Sequence, residues 1–248
     1  QVGKTYLVNK FADEQYTNKV YVNLLELSGE IFLEIYHDIR REMKEGERFQ
    51  NPVKELLIRY DSQFIDSQDT VVIIDEIQES AEIYNRIREF TRSLESDFIV
   101  TGSYLGKTLN AQYFKPAGNI WTVELLPLSF SEFCGAFGCR KTLETLDIHG
   151  RDTSERYQEL YRLYTVYVQI GGYPSVVAEY AKNQDTEMCM GIIKKLIETF
   201  TEESEAYFAD AAGKSRIVFD NVYKEAFRSI AYEKKGTSAK DIEKITDF

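Results

Sequence analysis

Proline and cysteine are scarce in this chain. Four prolines and fourteen glycines among 248 residues exclude low complexity and long flexible linkers. Three cysteines, Cys134, Cys139 and Cys189, make no paired disulfide framework. Cys134 and Cys139 have neither a CxxC spacing nor a histidine beside them, so no zinc set forms, and reduced, buried thiols are expected. That usage fits a cytoplasmic protein. No stretch approaches the ~20 apolar residues of a membrane span, and no signal-peptide pattern is present. Basic residues are the minority, 30 against 41 acidic, for a net charge of −11. Such a chain repels polyanions on average, which excludes a sequence-blind nucleic-acid coat and leaves room only for local basic faces such as 194–195 or 234–240. The first residue is Gln1 rather than Met and reads as internal, so the true N-terminus is expected upstream.

What is present is core material. Seventeen tyrosines and fifteen phenylalanines, within a 43% hydrophobic composition, suffice for one large domain or one domain with a smaller companion. Four short runs are rich in β-branched residues: VYVNL (20–24), VVIID (71–75), FIVTG (98–102) and WTVELL (121–126). VVII and FIV are continuously apolar rather than alternating, the pattern of strands buried on both faces. Between the runs lie helical periods. Ile31, Ile35, Ile39 and Met43 recur every fourth residue over 30–45, and similar patterns cover 52–66 and 79–95. Alternating strands and helices predict an α/β fold, a largely parallel sheet with helices on both faces.

Beyond residue 130 the pattern turns helical, with helices expected over 154–170, 174–183, 185–208, 214–232 and from 238. CGAFGCRK and DIHGRDTS break the periodicity and place a boundary between 135 and 155. The expected division is a core over 1–140, a helical domain over 150–235, and the start of a winged-helix segment over 236–248, where Ser238 is a helix N-cap candidate.

Residues 3–5 read Gly-Lys-Thr, the second half of GxxxxGK[ST], ahead of a helical YLVNKFA. Such a loop directs backbone N–H groups and a helix dipole at phosphate. Gly3 lets the backbone come close, Lys4 neutralises the β- and γ-phosphates, and the Thr5 hydroxyl coordinates Mg2+. The tripeptide alone is a weak signal. VVIIDE (71–76) supplies the second part: a strand ending in Asp75 delivers a carboxylate to the metal, and Glu76 is placed as general base on the attacking water. FIVTGS (98–103) is a third strand whose terminal Thr101 or Ser103 is a candidate sensor of the γ-phosphate, although TGS is also an ordinary turn.

QVGKT, VVIIDEIQES, YNRIREF, FIVTGSYLG, PLSFSEF and GGYPSVV occur in that order. Together they resemble the prokaryotic AAA+ P-loop ATPases of the archaeal-type group, which pair an ATPase core with a C-terminal domain of unknown function. The resemblance runs from residue 1 to about 180. It implies binding of ATP and Mg2+, with Gly3, Lys4 and Thr5 in the phosphate loop, Asp75 on the metal, Glu76 as base and Ser103 as sensor. It makes PLSFSEF (127–133) the last core strand and the turn out of it, and GGYP (171–174) a turn between helices. It also brings a homo-oligomer, and DNA through the C-terminal region, among the partners to test. One departure stands out: Asn119 occupies a position where many relatives carry an arginine; Arg86 and Arg88 are candidates to substitute, against the ordinary reading of arginines on an exposed helix as solvated. The main expectation is therefore Mg-dependent ATP hydrolysis. The alternative is an ATP-dependent switch or DNA-associated module with little intrinsic hydrolysis. A helical protein with a chance GKT is the third reading.

Overall fold

In a computed structural model of the chain, residues 2–102 and 121–212 are described, with side chains to residue 203. The chain divides into two compact units, one spanning Gly3–Val123 and another beginning at Glu124.

The first unit opens with α1 (Lys4–Gln15) and β1 (Asn18–Asn23), followed by α2 (Leu27–Glu45) and α3 (Pro52–Tyr60). β2 (Thr70–Asp75) then leads through a 3-10 turn (Ile77–Glu79) into α4 (Ala81–Asn85), α5 (Ile87–Ser93) and β3 (Asp97–Val100). Among the described residues the strands form one parallel sheet in the order β1-β2-β3, with Val20 opposite Val72 and Val72 opposite Phe98. Every residue of β2 is buried. Its even-numbered Val72 and Ile74 pack with α2 to α5, through Phe32, Ile39, Leu56, Leu57, Ile83 and Phe90. Its odd-numbered Val71 and Ile73 pack with Ala12 and Val8 of α1. Side chains alternate along a strand, so a central strand with helices on both faces must be apolar at every position. That is the physical origin of the unbroken VVII run, and it is the α/β P-loop NTPase arrangement.

The helix expected over 79–95 is broken at Arg86, where the backbone (φ −106°, ψ 4°) separates α4 from α5. The pattern over 52–66 is helical only to Tyr60, and Phe64 reaches the same core from the turn that follows.

The second unit is helical: α6 (Phe130–Ala136), α7 (Arg140–Glu144), α8 (Ser154–Ile170), α9 (Pro174–Asn183) and α10 (Thr186–Ala212). Its core gathers Phe133, Cys134, Leu160, Leu163, Ile170, Val176, Val177 and Cys189. All three cysteines are buried free thiols, and burial pushes each of them up from the ordinary thiol range.

Two expectations are corrected here. WTVELL (121–126) is not a strand, and Trp121 and Val123 are 92% and 79% exposed. β-branched composition suits a pleated surface but needs a paired neighbour to become a strand. PLSFSEF does not hold a core strand either. It starts α6 through a capping box, in which Ser129 Oγ accepts from the Glu132 N–H while the Glu132 carboxylate accepts from the Ser129 N–H. Phe133 and Cys134 are then buried among the helices of the second unit, which explains why that unit begins before the expected 135–155 break.

In the same unit Leu128 and Gly172 meet. The Leu128 N–H donates to the Gly172 carbonyl at 2.7 Å, and the Tyr167 hydroxyl donates to the Leu128 carbonyl at 2.9 Å. A Cβ on Gly172 would lie 1.9 Å from the Leu128 oxygen, so no side chain fits there. Pro174 is the first residue of α9, as the GGYP turn predicts. The helices expected over 214–232 and from 238, and the winged-helix segment 236–248, lie outside the described residues. No helix among the described residues is long and apolar enough to cross a membrane.

Candidate functional site

Strand parity builds the site. Asp75 shares its face with Val71 and Ile73, the face that packs against α1. On the neighbouring strands Tyr21 shares that parallel register, opposite Ile73. The same alternation, continued past the end of β3, carries Thr101 to the face of Ile99. Thr5, in the first turn of α1, completes the group.

All three hydroxyls converge on the Asp75 carboxylate, which is fully buried. The Thr5 hydroxyl donates to Oδ2 at 2.5 Å and the Tyr21 phenol to the same oxygen at 2.9 Å. The Thr101 hydroxyl and the Glu76 N–H, the latter at 3.0 Å, donate to Oδ1. Burial alone would push the Asp75 carboxyl up. The hydroxyls of Thr101, Thr5 and Tyr21 and the Glu76 N–H outweigh it and hold the carboxyl below its ordinary range. Asp75 is therefore a buried anion. The phenol of Tyr21 responds in the opposite sense: burial and its bond to Asp75 raise it, so it stays a proton donor.

Gly3 caps α1 in the left-handed region (φ 85°), a conformation that glycine adopts at no steric cost, and no side chain caps the helix. The first turn carries no acid, so its amides and dipole present positive charge at that end. Lys4 is the first residue of this helix.

Glu76 leaves β2 in the left-handed region (φ 53°, ψ 45°), unusual for a non-glycine residue. Two contacts hold it there. The Ile77 N–H donates to the Thr101 carbonyl at 2.9 Å, and the buried Gln78 amide donates to Glu76 Oε2 at 2.5 Å. The reversal takes Glu76 out of the strand's alternation.

The structure thus places Thr5 against Asp75, with Glu76 next in the chain and Gly3 and Lys4 at the head of the same helix. Ser103 and Asn119 lie outside the described residues. Thr101, one of the two sensor candidates, spends its hydroxyl on Asp75. Arg86 is paired within its own chain, with Nη1 2.8 Å from Glu89. Tyr21 and Gln78 escaped the sequence reading, although the period-2 pattern of VYVN does put Tyr21 on the Asp75 face.

A buried carboxylate beside a hydroxyl is a hard oxygen donor set of the kind Mg2+ takes, usually one or two carboxylates with phosphate oxygens and waters. Among the described residues no cluster of three or more His, Cys, Asp or Glu side chains exists that would form an all-protein metal cage. The residues fit a metal that arrives with phosphate.

Comparison with known proteins identifies the family of the chain. A family model described as AAA domain matches residues 1–134, more than half of the chain. No curated protein and no solved structure matches it.

Proposed function

The chain belongs to the AAA domain family, a nucleotide-binding family, and on that premise we propose that it binds ATP with Mg2+ at the head of α1 and hydrolyses the β–γ phosphate bond. The observation that carries the proposal is the hydrogen bond between Thr5 and Asp75, which unites the two halves of the sequence motif at one point.

The residues divide the work. The amides following Gly3 receive phosphate oxygens, and the Lys4 ammonium neutralises the β- and γ-phosphates. Thr5 and Asp75 hold Mg2+, which when bound offsets the negative charge of the phosphates. Glu76 takes a proton from water as the water oxygen bonds to the γ-phosphorus. The bond from that phosphorus to the β-phosphate oxygen breaks, and ADP and phosphate result. Gln78 fixes one carboxylate oxygen of Glu76, which orients the other to accept the proton. Ser103 is assigned the γ-phosphate sensor role by its place after the third strand.

Binding and turnover are tested separately. Lys4→Ala is expected to abolish ATP binding. Glu76→Gln is expected to bind ATP and to lose hydrolysis. Retention of tight ATP binding by Lys4→Ala removes the phosphate loop from the proposal, and a wild-type protein without turnover removes the hydrolase.

A further inference from the structure

Asp75 carries four donors, and they differ in origin. Thr5 sits at the head of the helix that would meet phosphate, and the Glu76 N–H belongs to the adjoining peptide. Thr101 fixes Oδ1 from the end of β3. Tyr21 alone reaches Oδ2 from the body of the sheet. Its backbone is fixed twice, by the register of β1 on β2 and by the Tyr60 hydroxyl, which donates to the Tyr21 carbonyl at 3.0 Å. Its ring packs in the cluster of Ala12, Val71, Ile73, Val8 and Ile99. The phenol therefore arrives at Oδ2 from a rigid platform, whereas the Thr5 hydroxyl, in the role proposed above, also serves Mg2+.

We propose that Tyr21 is a positioning residue for the metal: its phenol holds the Asp75 carboxylate in the orientation that receives Mg2+. The inference rests on the ATP and Mg2+ reading above. It assigns to β1, a strand outside both halves of the phosphate motif, a part in metal affinity. Donors that orient a metal-binding side chain are worth roughly 10- to 100-fold in metal affinity when removed. Packing explains the ring but not the hydroxyl, and the two separate in Tyr21→Phe.

The experiment follows binding of the fluorescent nucleotide methylanthraniloyl-ATP, first in EDTA and then across a Mg2+ titration. Wild type is expected to tighten its grip as Mg2+ is added. Tyr21→Phe is expected to bind as wild type does in EDTA and to need about tenfold more Mg2+, or more, for half-saturation. A Tyr21→Phe titration that superimposes on wild type overturns the proposal and leaves the ATP reading intact. Loss of binding already in EDTA makes Tyr21 a structural residue and also overturns it. A wild type that ignores Mg2+ sinks the ATP and Mg2+ reading itself, and the role of Tyr21 with it. Should Tyr21→Phe not fold, 4-fluorophenylalanine at position 21 carries the test: it fills the place of the hydroxyl without a donor, so its half-saturating Mg2+ must rise, and an unchanged value overturns the assignment.

Discussion

Thr5 Oγ1 lies 2.5 Å from Asp75 Oδ2 across a separation of 70 residues. The contact joins the helix that would bind phosphate to the strand that would bind metal, so its loss should be felt in both binding and stability. Thr5→Val keeps the shape and removes the hydroxyl. Mg2+-dependent tightening of ATP binding is expected to disappear. The buried carboxylate loses one of its donors, which costs about 1 kcal/mol of stability. A Mg2+ titration and a urea denaturation on the same variant measure the two effects. Full Mg2+ dependence in Thr5→Val would place the metal elsewhere.

Asp66 ties the turn before β2 to the entry of β3. Its Oδ1 accepts from the Glu95 and Ser96 N–H groups and the Ser96 hydroxyl at 2.9 to 3.1 Å, and Lys54 Nζ stands 3.5 Å from Oδ2. Burial alone would raise this carboxyl, but those donors and the Lys54 charge hold it below its ordinary range. A carboxylate lowered in the folded state stabilises above its unfolded pKa, and that stability is lost as pH falls through the folded value. Asp66→Asn is therefore expected to be less stable than wild type at neutral pH, by about 1–2 kcal/mol for charged hydrogen bonds made neutral. The gap should close in strong acid. Denaturation midpoints of both proteins against pH check this, and a gap independent of pH contradicts it.

Gly172 faces the Leu128 backbone with no room for a methyl group. Because the obstacle is main chain, it cannot rotate away. Gly172→Ala is expected to lose about 1–3 kcal/mol, the usual range for overpacking, and more if the Leu128–Gly172 hydrogen bond breaks. Thermal unfolding reads the change directly. An unshifted melting temperature would mean that α8 and the segment before α6 do not pack as described.

Ser129→Ala removes the side-chain half of the capping box at the start of α6. The expected cost is about 1 kcal/mol. Ser129→Asp retains an acceptor and should recover most of it. Equal stability of the alanine and aspartate variants would show that the box contributes nothing.

Part of this was legible before any coordinates. The continuous apolar run of β2, the tyrosine-rich helix α8 and the proline that opens α9 carry their structure in their own spacing. α8 and α9 occupy the spans their periodicity predicts, 154–170 and 174–183. The Ser129-x-x-Glu132 spacing was equally available and marks a helix start, yet the family resemblance made PLSFSEF the last core strand and the turn out of it. WTVELL failed for the converse reason, since a strand depends on a partner that lies elsewhere in the chain.

The sequence by itself determined the strands β1 to β3, the helices α8 and α9, and the presence of a Gly-Lys-Thr segment and a strand-terminal Asp-Glu pair. Those are local facts, written in residue periods and caps a few positions long. Only the tertiary structure decided that Asp75 would be met by Thr5, Tyr21 and Thr101, from 70, 54 and 26 residues away. It also decided that Glu76 would turn into the left-handed region and lean on Gln78. These contacts follow from parallel register and from which helix covers which face of the sheet. Both are settled by the packing of the whole unit, because a buried carboxylate must find its donors wherever the fold brings them.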